Sequence, residues 1–213
     1  AYVVTVDDVK FLNFVFDSIF IGDGFTALPA AIYAAADGDL LAPAEAWIGY
    51  LAGEHGSATA EAGGWARGLT YSTECLQDGS VTDVATVASR YEQVVDNPSL
   101  FDWAMLFHGL EQIMPCEYWQ VTPRDPNIAV EPVTSDIPAL MLTGSFDPAT
   151  PPSLSVEAAE RLTNAFYFEL PTAHGTVLTD CGVDLMAQFL ADPTQEPDAA
   201  CIDEMTPAWV LPE

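Results

Sequence analysis

The chain has 213 residues, half of them apolar and 17% charged, which suits one ordinary domain, or a domain with a small appendage, around a substantial core. Its charge is lopsided, with 32 acidic side chains against 5 basic ones and a formal net charge of −27. A surface of that sign repels phosphate backbones and anionic lipid headgroups, so nucleic acid is a poor candidate partner.

Acidity of this kind keeps a surface soluble by self-repulsion, and it equally suits adaptation to high salt, where screening removes the repulsion. No run of about 18 apolar residues occurs, so no segment reads as a membrane span. Ala1–Lys10 lacks the basic-then-apolar profile of a signal peptide, and the start at Ala1 reads as one with upstream sequence removed. The four cysteines, Cys75, Cys116, Cys181 and Cys201, allow three connectivities, and spacing alone does not choose among them. None lies in a CxxC pair, and His55, His108 and His174 are too scattered to complete an obvious zinc set. Neither a metal nor a cofactor is expected.

From Val6 to about Gln120 the pattern is helical. Thr5 and Asp8 resemble a capping box, followed by Val9, Leu12, Phe16 and Ile19 at helical spacing. Ala27–Ala36 reads as a second helix stopped at Asp37–Gly38, and Ala44–Leu51 as a third closed by Gly53. Ser80 and Asp83 open another, with Val84, Val87, Tyr91 and Val94 on one face. Ser99 and Asp102 open the next, with Trp103, Leu106, Leu110 and Ile113 inward. Such stripes belong to a core rather than to a cofactor box.

Residues 123–136, with Pro123, Pro126 and Pro132 among polar residues, read as a linker. Beyond them the habit changes. Ile137–Leu142 (IPALML) is a short apolar run, as expected of a strand buried on both faces. Ser153–Leu162 reads as a helix, Ala165–Leu170 (AFYFEL) as a second strand, and Thr179–Leu190 as a helix with Val183, Met186 and Phe189 inward. Strand–helix–strand–helix at these lengths is a parallel βαβα unit. Two strands do not make a stable sheet alone, so an incomplete sheet is expected, its other strands supplied by residues outside this chain or by another chain.

Two loops stand where such a sheet carries its chemistry, beyond the carboxyl ends of the strands. The first is Thr143–Gly144–Ser145–Phe146–Asp147–Pro148, and the second Pro171–Thr172–Ala173–His174–Gly175. A lone Asp in a Gly/Pro-rich turn is usually a turn residue, and a lone His after a strand is more often structural than catalytic. Together, on consecutive strand ends, Asp147 and His174 form what a base and its orienting carboxylate require. The flanking prolines stiffen the Asp147 loop.

The segment IPALMLTGSFDPATPP…AFYFELPTAHG…DCGVDLMAQFLADPTQEPDAACID resembles the C-terminal domain of the tripeptidyl aminopeptidase-like hydrolases, relatives of proline iminopeptidase within the α/β-hydrolase fold. The likeness is close over roughly residues 131–204. It is looser in the helical half, where GLTYSTEC and CEYW resemble the helical cap that these enzymes insert into the sheet. The resemblance implies a helical cap over residues 1–122, the linker 123–136, and a C-terminal α/β-hydrolase segment over 137–213. It implies Asp147 as triad acid, His174 as triad base, and disulfides pairing Cys75 with Cys116 and Cys181 with Cys201. It also implies an exported enzyme that releases short N-terminal peptides or cleaves small esters and amides.

One departure stands out. The fold carries its nucleophile at a G-x-S-x-G elbow ahead of the acid and base, and no serine here has glycines at both flanking positions; Ser57, Ser80 and Ser145 come nearest. The expectation is a serine hydrolase lacking its N-terminal half, inactive or nearly so alone. Glu74, Asp78 and Glu117 flank the cap cysteines and are candidates for a substrate's free amine, although among 32 acidic residues a solvated surface role is the commoner one. Trp103 and Trp119 read as core rather than as a pocket lining. An esterase on the same fold, and a non-catalytic binding protein on a degenerate hydrolase scaffold, are the competing expectations.

Overall fold

The computed structural model describes residues 3–20, 24–52, 66–77, 83–106, 113–119, 121 and 132–212. Backbone contacts divide the chain into two compact units. One holds Ala1–Asn13 and Pro43–Glu131, and the other Phe14–Ala42 and Pro132–Glu213. Compactness thus groups residues 14–42 with the C-terminal segment rather than with the rest of the helical stretch.

The first unit is helical. It takes the opening of α1 (Asp8–Phe20) and most of α3 (Leu41–Ala52), then α4 (Arg67–Gln77), α5 (Val84–Tyr91) and α6 (Pro98–Ala104), with a 3-10 turn at Met114–Glu117. Lys10 pairs with Asp7 and lies 5.4 Å from the Trp47 ring centroid. Asp83 caps α5 by accepting the Thr86 N–H at 2.8 Å. The next helix starts one residue earlier than the Ser99 signal, because Asn97 accepts the Leu100 N–H at 3.0 Å and Pro98 occupies the first turn, where its missing N–H costs nothing. Val94, expected inward, is exposed, since α5 ends at Tyr91. Leu110 and Gly53 lie outside the described residues.

Cys75 on α4 is bonded to Cys116 in the 3-10 turn. The exposed Trp119 leans on α4, with its indole Nε1 donating to Ser72 Oγ at 3.0 Å.

The second unit contains the sheet. Its helices are the end of α1, a 3-10 turn at Gly24–Ala27, α2 (Leu28–Ala36), α7 (Pro152–Ala159), α8 (Asp180–Ala191) and α9 (Ala200–Glu204). At the end of α2, Gly38 takes φ +92°, a left-handed conformation open to glycine, and turns the chain. Strands β1 (Ala139–Gly144) and β2 (Ala165–Leu170) pair in parallel, from Ala139 opposite Ala165 to Gly144 opposite Leu170. β1 begins after Pro138, which has no N–H for a ladder.

Side chains alternate across the pair. Leu142, Phe168 and Leu170 face α8 and α9, where they meet Cys181, Leu185, Cys201 and Ile202. Thr143 points to the opposite face and accepts from Ser155 of α7 at 3.3 Å. The two sheet faces are therefore covered by different helices, the layering of an α/β fold. Cys181 is bonded to Cys201, tying α9 to the start of α8.

The buried residues of α8 include Cys181 and Leu185; of the residues expected inward, Phe189 is half-buried and meets Phe166 of β2 edge-on, while Val183 and Met186 are exposed. The helix carries two apolar stripes. The one that wins holds the disulfide and meets Leu170.

Candidate active site

The site is built where β1 and β2 end. Beyond its last residue the first strand continues to bond to the second. Ser145 N–H donates to Leu170 O at 2.8 Å, and Phe146 N–H to Thr172 O at 3.0 Å. These two bonds lock the Asp147 loop against the His174 loop. A glycine is required at 144, because a Cβ there would lie 2.2 Å from Ala173 O and 2.5 Å from Thr172 O, both rigid backbone atoms.

Asp147 is buried, at 7% exposure. Its carboxylate is nonetheless fully occupied. Oδ1 accepts the Ala149 and Thr150 N–H groups at 2.8 and 2.9 Å, and Oδ2 accepts the Thr150 hydroxyl at 2.6 Å and His174 Nδ1 at 2.8 Å. Burial pushes the carboxyl's pKa up, but the Thr150 hydroxyl and N–H, the His174 ring and the Ala149 N–H together hold it below its ordinary value. Asp147 is thus ionised and can only accept, so the proton between it and His174 belongs to Nδ1.

With Nδ1 turned to Asp147, Nε2 is the ring nitrogen left for proton transfer. The His174 side chain is about one-third exposed. Among the described residues Nε2 has no hydrogen-bond partner. Thr150 Oγ1 also approaches Nδ1, at 3.4 Å. Phe20, at the end of α1, accepts the His174 backbone N–H at 3.0 Å, and its ring lies parallel to the imidazole, with centroids 4.6 Å apart and planes 12° apart. Phe25 of the 3-10 turn stacks on Phe146, the neighbour of Asp147, at 4.9 Å. Trp209 meets both rings edge-on, and Val210 N–H donates to Thr26 O at 2.9 Å.

The two sequence candidates are therefore brought into hydrogen-bonding contact, with the acid oriented by its own loop. Thr150 went unremarked in the sequence, although a hydroxyl three residues after an Asp is an Asx-type turn signal. Phe20 left no signal, since it lies far from His174 in the chain. Ser145, the serine nearest the pair in sequence, turns away and donates to Glu169 Oε1 at 2.7 Å.

The remaining candidates belong to the first unit or fall outside the described residues. Glu117 is exposed in the 3-10 turn beside Cys116, Glu74 stands on α4 beside Cys75, and Asp78 lies outside the described residues, as do His55 and His108. Among the described residues no group of three or more His, Cys, Asp or Glu side chains is arranged to hold a metal ion. No helix among them is long and apolar enough to cross a membrane.

A small parallel sheet with different helices on its two faces, and an Asp–His pair beyond its strand ends, is consistent with part of an α/β-hydrolase. Residues 107–201, a little under half of the chain, match the family described as TAP-like protein, which supports a hydrolase of the α/β class. That match runs from ahead of Cys116 to Cys201 and includes Asp147 and His174. No curated protein and no solved structure matches the chain.

Proposed function

We propose that this chain carries the acid and base of a serine hydrolase, with the nucleophilic serine supplied by sequence outside these residues. The observation that carries the reading is the 2.8 Å bond between His174 Nδ1 and the buried Asp147, whose other donors hold its carboxyl below the ordinary carboxylate pKa. It leaves Nε2 open for proton transfer.

In the complete enzyme the serine hydroxyl attacks a substrate carbonyl while His174 Nε2 takes its proton. The imidazolium so formed is stabilised by Asp147, and the proton passes to the leaving amine or alcohol as the tetrahedral adduct collapses. Water then repeats the sequence on the acyl-enzyme. The substrate is a peptide cleaved near its free N-terminus, with the helical stretch outside residues 14–42 acting as the cap and Glu74, Asp78 or Glu117 meeting the amine. The two disulfides suit an exported protein.

The test is labelling with a fluorophosphonate probe, read by intact mass. The chain itself stays unlabelled, and a longer form with upstream sequence gains one adduct. Labelling of the 213-residue chain overturns the reading. In the active form Asp147→Asn lowers kcat by roughly 10⁴-fold, because the wrong tautomer is then favoured. Peptides with blocked N-termini are rejected if the enzyme is an aminopeptidase, and are cleaved alongside simple esters if it is a general esterase.

A further inference from the structure

We propose that Phe20 is the positioning residue of His174, a role that rests on the acid–base reading of Asp147 and His174 but is separable from it. His174 sits in a loop, not on a strand or helix. A hydrogen bond from Nδ1 to Asp147 fixes one atom of the imidazole. It does not fix the ring plane, because the second side-chain torsion of histidine is broad. A base needs its plane fixed as well, since the lone pair on Nε2 lies in that plane.

Phe20 supplies the two missing constraints. Its carbonyl holds the His174 backbone N–H at 3.0 Å, setting where the side chain begins. Its ring holds the imidazole nearly parallel at 4.6 Å, setting the plane. Phe20 is itself held, stacked on Phe16 one helical turn earlier at 5.3 Å. Stacking covers a face of the imidazole and leaves its edge open, so Nε2 keeps its access. The contact thus orients without blocking.

The experiment uses the 213-residue chain with ¹⁵N-labelled histidine, and it needs no substrate. The readout is the exchange rate of the His174 Nδ1 proton with water, together with the ring tautomer, at a pH where the ring is neutral. Wild type holds a protected Nδ1 proton and shows nuclear Overhauser contacts between the Phe20 and His174 rings. Phe20→Leu keeps an apolar side chain of similar bulk but removes the stacking face, and it speeds that exchange by about fivefold, the order expected of one aromatic pair. Phe20→Tyr restores the wild-type rate.

A Phe20→Leu chain that melts as wild type and exchanges at the wild-type rate overturns the proposal while leaving the Asp147 pairing intact. So does absence of the ring–ring contacts in wild type, which decides the matter even if the leucine variant fails to fold. An unprotected Nδ1 proton in wild type, no faster in Asp147→Asn, is a different result: it removes the acid–base pair itself, and the positioning role with it.

Discussion

At the scale of single residues, the site depends on one carboxylate being charged and one glycine being small. Asp147 has its folded pKa below the ordinary carboxylate value, through donors that outweigh its burial. A group depressed on folding contributes stability above its unfolded pKa, about 3.9 for Asp, and loses it as pH falls through the lower folded value. The part of wild type's stability advantage over Asp147→Asn that comes from the charged carboxylate is therefore lost as the pH drops below about 4. Urea unfolding of both proteins between pH 3 and 7 measures it. Gly144→Ala drives a methyl into the backbone carbonyls of Thr172 and Ala173. It costs about 2–3 kcal/mol, as overpacking does, and the same urea titrations at neutral pH read that loss. The juxtaposition of Asp147 and His174 was legible in the sequence, because both loops follow short apolar runs at βαβ spacing. Thr150 and Phe20 were not, for opposite reasons. Thr150 speaks through a turn motif that is common everywhere, whereas Phe20 reaches His174 only through tertiary structure.

Among the elements, those with a single strong apolar signal were readable and those held by cross-links were not. AFYFEL spans β2 residue for residue, since a short run rich in aromatic and apolar residues between turn residues has no competing helical period. α4 was not delimited, and its composition explains why. Gly68 and three hydroxyl residues lower its helix propensity, and Ser72 and Thr73 turn their hydroxyls back onto carbonyls of the preceding turn. The Cys75–Cys116 bond and the Trp119 contact hold it instead. α9, five residues long, is held in the same way by Cys201. Opening the 20-residue separation between Cys181 and Cys201 in the double serine variant destabilises the second unit by about 3 kcal/mol on the chain-entropy account. Native-state hydrogen exchange shows the loss, with α9 amides opening first. On α8 the sequence reading put Val183, Met186 and Phe189 inward, and only the long-range partners Leu170 and Cys201 show that Cys181 and Leu185 are the buried pair.

For the whole molecule, a net charge of −27 stores self-repulsion that salt relieves. The melting temperature rises between 20 mM and 1 M potassium chloride, steeply while the Debye length shrinks from tens of ångströms to about 3 Å. A calorimetric or fluorescence melting series checks it, and a flat series shows that the acidic groups are too dispersed to matter. Charge also set the limits of what sequence could say here. It made one partner class a poor candidate but could not place a single side chain.

The second unit is discontinuous, made of residues 14–42 and 132–213. Phe20 and His174, which touch within it, are 174 − 20 = 154 residues apart. At a synthesis rate of about 5–20 residues per second, the ribosome presents the aromatic ring roughly 8–30 s before the histidine it will face. Through that interval Phe20 and Phe25 lack the His174, Phe146 and Trp209 rings that they later face. The end of α1 is therefore a nascent-chain segment that must be kept from wrong contacts until the last strands emerge. The Asp147–His174 pair cannot be seated against it before then.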